Sequence, residues 1–103
     1  MKVLTEGHLY ELENFESKDA GQNLQFIHKE PKEAGSTELV TIADGTTNED
    51  VLAVIIDRLK FLQSKFPCRE NDFAISKLEE ALMWLEKRTN DRLARGVEGK
   101  QIS

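Results

Sequence analysis

Trp84, Arg88, Arg92 and Arg95 follow one another at steps of four, four and three, with Lys87 alongside. On a helix, that spacing sets the four side chains along one side of the last turns. A guanidinium group binds phosphate through a planar fork of donors and stacks on flat rings. An indole offers a surface for base stacking or a cation–π contact. Together they suit a small phosphorylated ligand that carries a base. A structural use of the same residues competes with this reading. Arginines in a final helical turn complement the helix dipole, Glu80 and Glu86 are at hand as surface partners, and tryptophan commonly serves packing or an interface.

No catalytic set accompanies them. His8 and His28 are separated by 20 positions and carry no metal-ligand spacing around them, so no metal is expected. Cys68 has no histidine nearby and reads as a packed or surface residue beside a helix start. Glu79 and Glu80 are adjacent on a helix and point in different directions, which rules out an acid/base dyad. Gly96-Val-Glu-Gly99 lacks the preceding strand and following helix of a phosphate loop. The residues carry no enzyme signature and imply no cofactor.

The element that must position the arginines runs from Asn71 to Arg95 without Gly or Pro and is filled with good helix formers. Ile75, Leu78, Leu82, Leu85 and Thr89 share one face, with Ala74 and Ala81 beside it. Its start is expected near Arg69 to Asn71, and Gly96 is placed to cap its end. Before it, Asp44 to Asp50 reads as a helix start, because Thr46 with Glu49, or Thr47 with Asp50, has capping-box spacing. A first helix to about Lys65 follows, with a seam of Leu52, Ile55, Leu59, Leu62 and Phe66. Val51, Val54, Ile56 and Phe61 widen its apolar surface beyond what one partner helix covers. Pro67 ends it, and the short link at Phe66–Cys68 predicts an antiparallel helical hairpin over 46–95.

Upstream, three extended segments alternate with turn residues: His8–Phe15, Asn23–Glu30 and Thr37–Ala43. They predict a small antiparallel sheet of two or three strands, too small to stand alone and needing a helix to cover it. The expected fold is therefore α+β in a single domain. A β-rich segment over 8–43 packs on the hairpin, and 96–103 forms a flexible tail.

The composition narrows the partners. The chain has 103 residues, 39% apolar and 32% charged, which suits a globular protein. No run approaches the roughly 20 apolar residues that span a bilayer. The N-terminal residues contain no long apolar segment of the secretory kind. A lone cysteine excludes an internal disulfide. These features predict a cytoplasmic protein with no membrane partner. Four lysines against eleven acids leave residues 1–50 at −7, whereas five basic against two acidic groups leave 87–103 at +3. The acidic bulk disfavours long nucleic acids, while the cationic end still suits a small anion.

The stretch from Cys68-Arg-Glu through Ala74-Ile-Ser-Lys-Leu-Glu-Glu-Ala81 to Trp84, with its basic residues and Arg95-Gly-Val-Glu-Gly99, resembles a known hairpin. It is similar to the helical hairpin of small phage proteins that counter CBASS and Thoeris immunity, over about residues 50–99. The resemblance implies an oligomeric sponge that sequesters cyclic oligonucleotide or cyclic ADP-ribose-type signals without cleaving them. Carried onto this sequence, it singles out Arg69, Glu70, Trp84, Arg88 and Arg92. The leading expectation is thus a homo-oligomeric binding protein for a small anionic nucleotide ligand, acting in the host cytoplasm. The alternative is a small protein-interaction module that docks through the first-helix face or a sheet edge.

Overall fold

The computed structural model describes residues 1–97 and Lys100. The chain runs β1 (Lys2–Thr5), β2 (Leu9–Leu12), β3 (Gln22–Gln25), β4 (His28–Pro31), β5 (Leu39–Ala43), α1 (Asn48–Lys65) and α2 (Arg69–Ala94). It divides into two compact units, Met1–Thr47 and Asn48–Ser103. The expected α+β class, with antiparallel strands first and a helical hairpin last, is what the structure has.

The strands of the first unit differ from expectation in number and grouping. They form a three-stranded sheet in the order β1-β2-β3 and a separate β4-β5 pair, all antiparallel. The expected segment Asn23–Glu30 is split between the two sheets at Phe26 and Ile27. There the backbone pairs with Thr46 instead of continuing its ladder: Thr46 N–H donates to the Gln25 carbonyl, and Ile27 N–H to the Thr46 carbonyl, both at 2.9 Å. Gly45 makes this approach possible, because a β-carbon there would collide with the Gln25 carbonyl oxygen. Side chains then join the two sheets. The His8 and His28 rings stack at 3.7 Å, and Tyr10 meets Phe26 edge-on at 5.9 Å; within β4 itself, His28 Nε2 lies 3.1 Å from a Glu30 carboxylate oxygen.

In the second unit, α1 starts at Asn48, directly after Thr47, while the backbone of Thr46, the other capping candidate, pairs with Gln25 and Ile27. The face of α1 turned inward includes Leu52, Ile56, Leu59, Leu62 and Gln63, with Ile56 only 7% exposed. Two members of the expected seam lie elsewhere: Ile55 and Phe66 are exposed at 41% and 83%. Spacing alone could not separate Ile55 from Ile56, and α1 ends before Phe66 is reached. The expected stripe on α2 is turned inward throughout, with Ile75 buried and Leu78, Leu82, Leu85 and Thr89 half-buried.

The link between the helices is held by a reciprocal pair. Gln63 Oε1 accepts from Cys68 N–H, and Gln63 Nε2 donates to the Cys68 carbonyl, each at 3.0 Å. Cys68 is itself the N-cap of α2, its sulfur accepting from Asn71 N–H at 3.4 Å. Gln63→Ala removes both bonds at the link. It should lower stability by about 1 kcal/mol, read as an earlier urea midpoint with an unchanged slope.

At the far end, Gly96 takes φ +71°. Gly96 N–H donates to the Leu93 carbonyl and Val97 N–H to the Arg92 carbonyl, at 3.1 and 3.0 Å. This is a Schellman end with Gly96 in the left-handed position, as its sequence position predicts. Residues 98, 99 and 101–103 of the expected tail lie outside the described residues.

Candidate anion-binding face of the second helix

The outward side of α2 near its C-terminus carries an open depression of about 710 Å³, lined by Trp84, Lys87, Arg88, Asp91, Arg92, Ala94 and Arg95. Four of the residues singled out from sequence, Trp84, Arg88, Arg92 and Arg95, therefore meet in one place. At about 100° per residue, Trp84, Arg88 and Arg95 fall within roughly 40° of one another around the helix. Trp84 is 56% exposed, so its ring is available to a ligand. Among the described residues Arg88 has neither an ion pair nor a hydrogen-bond partner. Lys87 is engaged with Asp91 Oδ2 at 2.8 Å, which offsets its charge.

Arg92 behaves differently from its neighbours. It continues the inward stripe Ile75–Leu78–Leu82–Leu85–Thr89 by one further step of three, and it is buried at 4% exposure. Its guanidinium Nη2 donates to the carbonyls of Val97 and Lys100. Arg92 therefore belongs both to the arginine row and to the end of the packing stripe.

Arg69 and Glu70 sit at the opposite end of α2. Arg69 is 19 residues from Arg88, or about 28 Å along the axis at 1.5 Å per residue. Both are strongly exposed, and Arg69 Nε stands 3.9 Å from its neighbour's carboxylate. One copy of the chain cannot bring these two and the Trp84 depression onto the same small ligand.

Two lining residues were missed by the sequence reading. Asp91 lies between Arg88 and Arg95 on the same face, and Ala94 opens space by its small size. A helical projection centred on Trp84 would have placed Asp91 there. The face holds cations, one carboxylate and an aromatic ring, which suits it to binding a flat anion. Among the described residues no cluster of three His, Cys, Asp or Glu side chains could hold a metal. No described helix is long and apolar enough to cross a membrane.

A family model for the Acb2/Tad1 hairpin domain matches residues 21–90. The chain belongs to the Acb2/Tad1 hairpin family. The matched span holds β3, β4, β5, α1 and most of α2, and so includes Arg69, Glu70, Trp84 and Arg88; Arg92 and Arg95 lie just beyond it. Over 58 residues the chain is 62% identical to the protein named Thoeris anti-defense 1 of Bacillus phage SBSphiJ7. That alignment takes in 55% of this chain and 41% of the phage protein, so this hairpin chain matches less than half of that relative's length.

Proposed function

We propose that the chain is an anti-defence binding protein of phage origin that sequesters a cyclic nucleotide-type immune signal and releases it chemically unchanged. The observation that carries this reading is the Trp84–Arg88–Arg95 face, where an exposed indole stands beside Arg88, which has no partner among the described residues. Membership of the Acb2/Tad1 hairpin family and the likeness to an anti-defence protein support the anti-defence role, and the class of ligand is what the family resemblance implies. The face has donors for phosphate and a ring for a base, and no group that would cleave either. Its place of action is the cytoplasm of the infected cell, where such a signal is made.

The working form is a homo-oligomer. Ile56 and Ile75 are the buried apolar side chains among the described residues, a thin core for a hairpin of this length. Meanwhile Val54, Ile55 and Phe61 on α1, and Phe73, Met83 and Leu93 on α2, are exposed. Surfaces of that kind are normally covered by another chain. A second copy of α2 could also bring an Arg69–Glu70 pair close to a Trp84 depression. The same exposed strip supports the second reading, a module that docks on another protein through α1.

Calorimetric titration with a panel of cyclic dinucleotides, cyclic trinucleotides and cyclic ADP-ribose tests the proposal. Saturable heat is expected with at least one member, and the bound compound should be recovered intact after the protein is denatured. Light scattering on the eluting protein should give a mass of more than one chain. A monomer that gives no heat with any member, yet captures a polypeptide through the α1 face, would favour the docking module.

A further inference from the structure

We propose that Arg92 is a positioning residue: its guanidinium clamps the turn that follows α2, and the anion is gripped by its neighbours. This rests on the binding reading of the Trp84 depression given above. Arg92 is the buried charged side chain among the described residues. Its Nη2 donates to the Val97 carbonyl at 2.8 Å and to the Lys100 carbonyl at 2.6 Å. Its own backbone carbonyl accepts from Val97 N–H at 3.0 Å, and Lys100 N–H donates to the Val97 carbonyl at 3.0 Å. Arg92 thus holds Val97 through both backbone and side chain, and reaches Lys100 with the same nitrogen.

The chemistry requires an arginine. A guanidinium nitrogen presents two N–H groups in a fixed plane, one for each carbonyl, whereas lysine offers a compact charge on a flexible stem. A buried cation needs such oxygens around it, and the end of α2 adds the negative pole of the helix dipole. Gly96, through its φ of +71°, permits the reversal at the end of α2 that brings Val97 back against Arg92.

The clamp bears on the site because Arg95 is the C-cap of α2, at φ −88° and ψ −4°, and also lines the depression. Gly96 and Val97, which follow Arg95 directly, are the residues that the clamp and the Schellman bonds hold. Fixing that backbone fixes the base from which the Arg95 side chain projects. Holding a binding group in place before the ligand arrives lowers the cost of binding.

Amide hydrogen exchange on the ligand-free protein, paired with calorimetric titration of cyclic di-AMP and cyclic ADP-ribose, tests this on four chains: the parent, Arg92→Lys, Gly96→Ala and Arg88→Gln. In Arg92→Lys, exchange at Val97 and Lys100 should quicken by roughly fivefold to tenfold, with the Ile75 amide unaltered as a check on folding. Affinity should fall by a similar factor. Gly96→Ala leaves the guanidinium in place but strains the reversal, and should copy both effects. Arg88→Gln should lose affinity with exchange unaltered, as expected of a group that touches the ligand. Normal exchange at Val97 and Lys100 in Arg92→Lys would overturn the clamp. Parent-like binding by a Gly96→Ala chain with loosened amides would overturn its link to the site. If the parent binds neither probe, the functional reading fails, and the exchange rates still decide the clamp.

Discussion

Arg88→Ala is expected to lower affinity for the proposed cyclic nucleotide-type ligand by roughly 10- to 100-fold, the worth of a charge-assisted hydrogen bond. Folding should be untouched. Arg88 lies on the outward side of α2, has no partner among the described residues, and alanine is the better helix former. The far-UV spectrum and the melting temperature of the variant should therefore match the parent, while the titration weakens. Trp84→Ala should show the same pattern through lost base stacking, of about 1–3 kcal/mol. Equal loss of binding and of helix content would mean that Arg88 serves the fold and not the ligand.

The second large effect is on stability. Ile75→Ala removes one of the two buried apolar side chains among the described residues, which are each 7% exposed. It should cost about 2–4 kcal/mol, the usual range for large-to-alanine changes in a core. For a chain of this size, that amounts to a melting temperature lower by 10 °C or more. Phe73→Ala, two residues earlier and 61% exposed, is the control. Its side chain contributes little within one copy, so it should leave the unfolding of a single chain nearly unchanged and act instead on the mass measured by light scattering. Both variants are compared at one protein concentration, because association shifts apparent stability by mass action.

Residues in the helical hairpin were the most legible in the sequence, for a physical reason. Ile75, Leu78, Leu82, Leu85 and Thr89 are close in the chain, and their spacing alone fixes a common face. Gly96 is equally local, since a left-handed backbone position at a helix end selects glycine. The first helix was less legible because Val54, Ile55 and Ile56 are consecutive, and periodicity cannot say which of them turns inward. The sheets were harder still. Whether Asn23–Glu30 continues or changes sheets depends on Thr46, some twenty residues away, and on the missing side chain of Gly45. The four residues of β1 are all exposed and carry no alternating pattern. The His8–His28 stack likewise joins residues that are far apart in the chain.

At the site, Trp84, Arg88 and Arg95 could be grouped from spacing because they share a narrow sector of one helix. Arg92 belongs to both patterns and also lines the depression. Its type suggested a ligand contact, while its position one step beyond Thr89 placed it with the inward stripe, and its guanidinium serves the chain's own carbonyls. Arg69 and Glu70 came from the family likeness alone, and their distance from Trp84 within one copy makes their part in binding a question of assembly.

Trp84 is the single tryptophan in the chain, so its fluorescence reports on the proposed site without any label. The most direct measurement is that emission, followed while cyclic dinucleotides, cyclic trinucleotides and cyclic ADP-ribose are added in turn to the parent and to Arg88→Ala. A saturable change with one of these ligands, shifted to at least tenfold higher concentration in Arg88→Ala, is the result expected. Emission that stays flat with every ligand, or saturates identically in both chains, would contradict a nucleotide site on this face of α2.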